Sequence, residues 1–529
     1  MQRDIPRFEK GQYDLIVVGG GINGAAIANI ASESGLKVAI LEKGDFASGT
    51  SSKSTKLIHG GIRYLEHFEF DLVYESLKER FIQLKSVPHL VKPLPFVIPV
   101  YKGDKRQLWM MTFGVWLYDF LSGQYKTSCR RNLSTEELLK LEPSLKKENL
   151  LGGVMYYDAQ MDDARLCLEN VLSAVHKGAH AANYLKVQGF LKENGKVVGV
   201  EARDLLGKKN LAIRARKTIC AVGPWTNELL KLDHPFSRKK VRLTKGVHIV
   251  YPTALTSHAL LLTLNKDRRI FFVIPWRGNS LIGTTDTDYV GDPDDVQAMP
   301  EDIQYLFDEA RRFFPAVDFK EEKIITTFAG LRPLLRRAGL PSDVSRKHVV
   351  VESFSGLFLV IGGKYTIYRK IALDCVNRIL KSLQGVTGVA GAAPVAPTTI
   401  KTFQGNRGRP IVADYYPLYG SGEISDSPQI AADRFGLPVK TVEYLMEKYG
   451  TRYLDVLKLT EGQPKLKKPI CTCSPTIAAQ ILYSIQTEMA QTPEDIIDRR
   501  LGLAYLLCPS KQCEKLIRSQ WFSDCHLPP

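Results

Sequence analysis

The stretch YDLIVVGGGINGAAIANIASESGLKVAILEKGD, residues 13–45, decides the fold. Residues 15–18 form a continuous apolar run, as a parallel strand buried on both faces requires. Gly19, Gly21 and Gly24 follow in the spacing G-x-G-x-x-G. A helix of small residues is expected from Ala25 to Ser34, stopped by Gly35. A second strand, Lys37 to Leu41, ends in Glu42. The glycines permit a tight turn, close approach of the backbone to a pyrophosphate, and tight contact between helix and strand. The helix N-terminus adds N–H groups and a positive dipole end. Glu42 lies about 20 residues past the glycines, where an acid accepts hydrogen bonds from an adenosine ribose. A glycine pattern alone is weak, but strand, turn, helix, strand and acid in this order specify a dinucleotide-binding unit. NAD and FAD both fit it. NADP does not, because Glu42 repels its extra phosphate.

The chain has 529 residues, too many for one compact core, so two or three domains are expected. A composition of 44% hydrophobic and 24% charged residues is that of an ordinary globular protein. The net charge of +16 suits an anionic partner: a phosphorylated substrate, an acidic membrane or nucleic acid, besides its plain effect on solubility. No nucleic-acid fingerprint, internal repeat or long low-complexity tract accompanies it. The cysteines are nine, an odd number and scattered, which indicates a reducing compartment. Cys471, Cys473, Cys508, Cys513, Cys525 and His526 gather near the C-terminus. They lack paired C-x-x-C spacing, so ordinary thiols are expected and no metal. Residues 1–14 have no signal-peptide core, and no apolar run reaches the roughly 18 residues of a membrane span. The nearest, 108–121, is interrupted by Asp119.

A second stretch, SSKSTKLIHGGIRYLEH (51–67), packs hydroxyls, cations, histidines and a glycine pair among apolar residues. That mixture fits backbone and side chains held against a large anionic ligand. Together with the glycine-rich start and GGKYTIYRKIA (362–372), it resembles the FAD-dependent glycerol-3-phosphate dehydrogenases. MDDARL (161–166), AVGPW (221–225), KGVHIV (245–250), IPW (274–276), IGTTD (282–286) and LRP (331–333) extend the resemblance, in order, over roughly residues 12–375. The first helix departs from it: Ile30 and Ser34 stand where the family commonly has an acid and a base, a difference expected to touch helix packing.

The resemblance implies an α/β flavoprotein: a Rossmann-like FAD-binding domain, an antiparallel-sheet substrate domain and a C-terminal helical domain. The expected boundaries are 1–395 for the oxidoreductase and 396–529 for the helical part. FAD-binding segments would be about 10–75, 150–235 and 325–385; substrate-domain segments about 76–149 and 236–324. FAD would rest on Gly19, Gly21, Gly24 and Glu42, with Ser51 and Ser52 on the pyrophosphate. His59, Gly60 and Gly61 would pass near the flavin, with Gly223, Gly363, Lys364 and Thr366 closing the cradle. Arg63, Tyr64, Arg332 and Lys364 would hold the substrate phosphate, since a guanidinium fork matches phosphate oxygens. His59 and His248 are both candidate bases, with Arg332 stabilising a developing alkoxide. Thr285 and Asp286 line the pocket or shape its turn.

The implied reaction is oxidation of sn-glycerol 3-phosphate to dihydroxyacetone phosphate, with electrons passed to a quinone. A soluble oxidase reducing oxygen and a non-catalytic flavin-binding module are the competitors. KGDKRQLWMMTFGVWLYDFLSGQYKTSCRR (102–131) sets Trp109, Phe113, Trp116 and Phe120 at helical spacing between basic flanks, Lys102, Lys105, Arg106, Lys126, Arg130 and Arg131. Such a segment can enter one leaflet of an anionic membrane, or be buried as a core helix. The protein is expected on the cytoplasmic face of the inner or plasma membrane, or in the cytoplasm, with a homodimer among its possible assemblies. The Gly/Ala/Pro-rich 385–400 reads as a connector, and Thr492 as the cap of a later helix.

Overall fold

The computed structural model describes residues 1–264, 269–336, 348–384, 415–508 and 511–524. The opening unit forms as strand Gln12–Val18, helix Ile22–Glu33 and strand Val38–Leu41. Its first strand is apolar because parallel neighbours flank it on both edges, Val38–Leu41 and Asn210–Cys220. Phe358–Gly362 and His180–Ala182 extend the parallel order outward. Leu15 and Val17 face a layer of three helices, Ile22–Glu33, Asp163–His176 and Tyr368–Gln384. Ile16 and Val18 face the other side, covered by the hairpin of Leu185–Glu193 and Lys196–Asp204 and by Phe8. Ile30, in the helix Ile22–Glu33, and Ser34, the residue that caps its end, are buried, and the Ser34 hydroxyl donates back to the Ile30 carbonyl at 2.9 Å. The departure from the family pattern is thus absorbed by packing.

A ten-stranded sheet forms the second layer among the described residues. Its ladders are antiparallel except where Ala259–Thr263 runs parallel to Val91–Tyr101. Leu57–Ile58, Leu150–Met161 and Thr326–Leu335 belong to this sheet, although the sequence boundaries assign them to cofactor-binding segments. They cross over because their backbone groups are paired there: Leu57–Ile58 on Leu150–Met161, Leu150–Met161 on Val91–Tyr101, and Thr326–Leu335 on Val241–Tyr251. One face is packed by the helix Pro300–Phe313 through Leu306, Phe307 and Ala310. The other presents Phe96, Tyr156, Phe272 and Phe328 to a large cavity between the two sheets.

The last part is helical, with Pro428–Phe435, Val439–Tyr449, Tyr453–Lys458 and Ala478–Gln486 around their own core. Ion pairs fasten it to the cofactor layer. Arg165 donates to Glu488 at 2.8 Å, and Arg499 and Arg500 both reach Asp45 at 2.6 Å. Thr492 does accept from the Asp495 N–H, at 3.2 Å, but the following turn, Asp495–Arg500, is π-helical. Arg499 and Arg500, which meet the one Asp45 carboxylate, both lie in that turn. The connector 385–400, the domain boundary at 395/396, Cys525 and His526 lie outside the described residues. No helix among the described residues is long and apolar enough to cross a membrane.

Candidate active site

The cavity between the sheets measures about 1340 Å³, room for a dinucleotide and a small substrate together. Its cofactor end begins at the glycine turn. Gly19 has φ +106°, and a Cβ on Gly24 would stand 1.9 Å from the Gly19 carbonyl oxygen. Gly24 therefore serves helix–strand contact and is not in the cavity wall, whereas Gly19 and Gly21 are. Glu42 lines the cavity and accepts from the N–H groups of Gly20 (2.6 Å) and Gly44 (2.8 Å). Burial raises its carboxyl pKa, against the opposing pull of those N–H donors. A carboxylate has about four lone-pair sites, so two N–H bonds leave acceptor capacity for a ribose hydroxyl.

The Ser51 hydroxyl accepts from Ile22 N–H at 2.9 Å, joining the Thr50–Ser52 turn to the helix N-terminus. Ser52 is buried and outside the wall, with its carbonyl accepting from Lys56 at 2.8 Å. Of the two serines expected on the pyrophosphate, only Ser51 lines the cavity. Successive side chains of a 3₁₀ turn point about 120° apart, and here Thr50 and Ser51 face the cavity. Gly223, Gly363, Lys364 and Thr366 line it as well.

His59 and Gly61 lie in the wall, and Gly60 lies behind it. A Cβ on Gly60 would meet the Tyr118 hydroxyl at 2.2 Å, so only glycine fits. Gly60 N–H donates to Asp158 at 3.2 Å, and the same carboxylate oxygen accepts from Tyr118 (2.7 Å) and Arg80 (2.7 Å). The His59 carbonyl accepts from Lys364 (2.5 Å) and from the Thr366 hydroxyl (3.2 Å). Gly61, at φ +83°, then turns the chain into Ile62–His67, bringing Arg63 and Tyr64 to the cavity. Lys364 Nζ is 5.2 Å from the Tyr64 ring centre. Folding thus gathers Arg63, Tyr64 and Lys364 from segments far apart in the chain.

Across the cavity, His248 sits on Val241–Tyr251 beside Arg332 of Thr326–Leu335. His248 Nε2 is 3.0 Å from the Thr55 hydroxyl, and its ring stacks on Phe328 at 5.0 Å. Nδ1 is buried without a hydrogen-bond partner among the described residues. Arg332 donates to the Thr284 hydroxyl (2.9 Å), the Thr285 carbonyl (3.2 Å) and Asp286 (3.2 Å). Burial, then the nearby Arg332 and Lys56 cations, holds the His248 imidazolium pKa well below its usual value. Burial acts likewise on His59, followed by Lys364, Arg63 and Arg80. Both rings are therefore neutral near pH 7, the form that can take a proton.

Sequence reading missed Thr55, Asp158, Tyr118 and the buried Lys56–Asp163 pair at 2.5 Å. Thr55, Lys56 and Asp163 lie inside quoted stretches, but nothing local shows which side chains turn inward. Asp158, Arg80 and Tyr118 carry no local signal, because their role exists only once three separate elements meet behind Gly60.

Residues 14–369 match the FAD dependent oxidoreductase family, and residues 411–513 match the C-terminal domain of alpha-glycerophosphate oxidase. A glycerol-3-phosphate dehydrogenase of Synechocystis sp. is 38% identical over 523 residues, covering 95% of this chain and 91% of the relative. The chain belongs to the FAD-dependent glycerol-3-phosphate dehydrogenase family. An aerobic glycerol-3-phosphate dehydrogenase of Staphylococcus aureus is 37% identical, covering 93% of this chain and 87% of its own. Among solved structures, the Bacillus halodurans glycerol-3-phosphate dehydrogenase complexed with FAD superposes with TM-score 0.77 at 30% identity, covering 98% of this chain and 92% of that one. The L-alpha-glycerophosphate oxidase of Mycoplasma pneumoniae shares the fold, with TM-score 0.56, 18% identity and coverage of 70% and 95%. As a member of this dehydrogenase family the protein binds FAD, and the glycine turn, Glu42 and the cavity fit that group.

Proposed function

We propose that the protein oxidises sn-glycerol 3-phosphate to dihydroxyacetone phosphate and passes the electrons to a quinone at a membrane surface. The observation that carries this reading is the convergence of Arg63, Lys364, Arg332 and a neutral His248 on the cavity that also holds the dinucleotide cradle. Arg63 grips the phosphate through its planar fork, with Tyr64 and Lys364 completing the hold. His248 removes the proton of the C2 hydroxyl, and Arg332 stabilises the alkoxide that develops. His248 is preferred to His59 because, beyond the burial common to both rings, three cations (Lys364, Arg63 and Arg80) oppose proton uptake by His59 and two (Arg332 and Lys56) by His248. Bound FAD supplies the acceptor for the hydride that leaves C2.

The helix Leu108–Ser122 supports the quinone acceptor. Its inner residues Val115, Tyr118 and Ser122 are buried, with Tyr118 bonded to the Asp158 that braces Gly60. Its outer residues Trp109 and Phe120 are 67% and 68% exposed, and Phe113 and Trp116 stack between them. Phe68 and Phe70 stand exposed on the elements it packs against, enlarging the apolar surface. A patch of this kind is a site of membrane or protein contact. Arg106 pairs with Glu66 and Lys126 with Asp119, so its attraction to anionic head groups is weaker than the count of flanking cations implies.

Anaerobic mixing with glycerol 3-phosphate should bleach the flavin, and a quinone should restore its colour faster than oxygen. A flavin that stays oxidised would leave only a binding module. Stoichiometric hydrogen peroxide would make the protein an oxidase instead.

A further inference from the structure

Four of the C-terminal cysteines do not stay apart as their spacing implies. The sulfurs of Cys471, Cys473, Cys508 and Cys513 all lie within 4.8 Å of one another. Cys473 stands 2.8 Å from Cys471 and 3.1 Å from Cys513, and Cys508 stands 3.5 Å from Cys513. Two separate loops supply them. The first, ICTCSPT (470–476), is pinched by the Pro469–Ile477 bridge and by Ile470 N–H donating to the Thr476 carbonyl at 3.0 Å. In the second, Lys511 N–H donates to the Cys508 carbonyl at 2.9 Å, setting Cys513 at the start of the helix Gln512–Asp524. Ile470, Ala478, Ile481, Leu503 and Ile517 wall the cluster, Cys471 and Cys513 are buried, and Cys473 and Cys508 keep partial access to solvent.

Cys471 and Cys513 form a disulfide here, their Cα atoms 5.4 Å apart. A disulfide needs two sulfurs and gives no reason for two more to be gathered against it. Outside the cluster, Cys129, Cys167, Cys220 and Cys375 are free thiols, as in a reducing compartment. We propose that the reduced cluster is a structural zinc site with four cysteine ligands. A small-molecule thiol supplies two electrons and two protons to open the disulfide, leaving two cysteine thiols and the oxidised reductant. Zn²⁺ then replaces four thiol protons with four Zn–S bonds of about 2.3 Å. In a tetrahedron of that size the sulfurs stand roughly 3.8 Å apart, within the span already present. Lys467, Lys468, Lys511 and Lys515 border the four ligands in sequence and offset the double negative charge of the filled site. All four positions are protein ligands, so the ion would hold structure rather than activate water. It would join the loop after the helix Tyr453–Lys458 to the chain just past Tyr505. The Tyr505 ring lies 5.9 Å from Phe328 on the cavity side of the second sheet.

The test is metal content of full-length, FAD-bearing protein purified under reducing conditions, given Zn²⁺ and then desalted. About one zinc per chain is expected, falling at least tenfold in Cys473→Ser/Cys508→Ser with flavin content retained. Should that variant not fold, a zinc chelator applied to the wild-type holoenzyme must raise the count of thiols open to alkylation by four. Co²⁺ in place of zinc should add absorption to the red of the flavin bands. A folded, reduced wild-type protein that retains no zinc overturns the proposal. So does iron in its place, or a Cys471–Cys513 disulfide that persists in mass mapping after thiol treatment.

Discussion

His248 and Arg332 can share one wall because glycines stand opposite them. A Cβ on Gly283 would come within 2.4 Å of the His248 ring, and one on Gly246 within 2.3 Å of the Arg332 guanidinium. Packing of this closeness excludes water and drives the imidazole towards its neutral form. The sign is that of a base with a depressed pKa. The free enzyme keeps His248 unprotonated through the ordinary histidine value near 6.5, and activity is lost only as pH falls lower. After allowance for the substrate phosphate, which titrates near 6, the acid limb of kcat/KM should lie below 6.5. His248→Asn should lower kcat by about 10²–10⁴-fold and flatten that limb, with FAD still bound. A limb unchanged in the variant would return the base role to His59. Arg63 is tested differently. Arg63→Lys keeps the charge but loses the fork, worth about 1.5–3 kcal/mol for a hydrogen bond to a charged group, so KM for glycerol 3-phosphate should rise about ten- to hundredfold. Flavin content should not move. An unchanged KM removes Arg63 from the phosphate site.

At the scale of elements, the helix Leu108–Ser122 joins solvent and active site across its own diameter. The tryptophan spacing was legible in sequence, but both a buried helix and a surface helix satisfied it. The fold chose the surface, since only one side meets Tyr156 and the Asp158 network while Trp109 and Phe120 face outward. Head-group attraction contributes about 1 kcal/mol per nearby cation and weakens with salt, whereas apolar insertion persists. High salt should therefore release only part of the protein from anionic liposomes. Trp109→Ser/Trp116→Ser should make the remainder extractable, lowering quinone reduction more than reduction of a soluble dye. Wild-type protein that fails to float with liposomes at low salt would end the membrane reading.

At the scale of the whole molecule, buried charges tie the helical domain to the cofactor layer. Arg165 is fully buried between Glu169 and Glu488, and Arg452 shares both carboxylates. Those acids push the Arg165 pKa up despite desolvation, so the cation is held firmly. Removing one partner of such a group strands the others in a dry interior, at a cost of about 3–5 kcal/mol. Arg165→Met should lower the unfolding midpoint and reduce retention of FAD on dilution, since Asp163–His176 packs on the dinucleotide helix. A midpoint equal to wild type would show that the charges are not what joins the domains.

Residues 13–45 by themselves determined a dinucleotide fold, because a parallel strand, a glycine turn and a helix start are local: each depends on φ, on a missing Cβ and on apolar runs of short range. The gathering of Arg63, His248, Arg332 and Lys364 at one cavity was legible only through the family resemblance, as they sit on four separate segments. Tertiary structure alone decided three matters. It turned Ser52 inward and Thr50 outward, since the direction of a 3₁₀ side chain depends on what packs behind it. It moved three strands into the second sheet, since backbone pairing is a long-range choice. It also closed four sulfurs into one cluster, because C-x-C and C-x₄-C become neighbours only when two loops are pressed together by the core around Ile470 and Ile517.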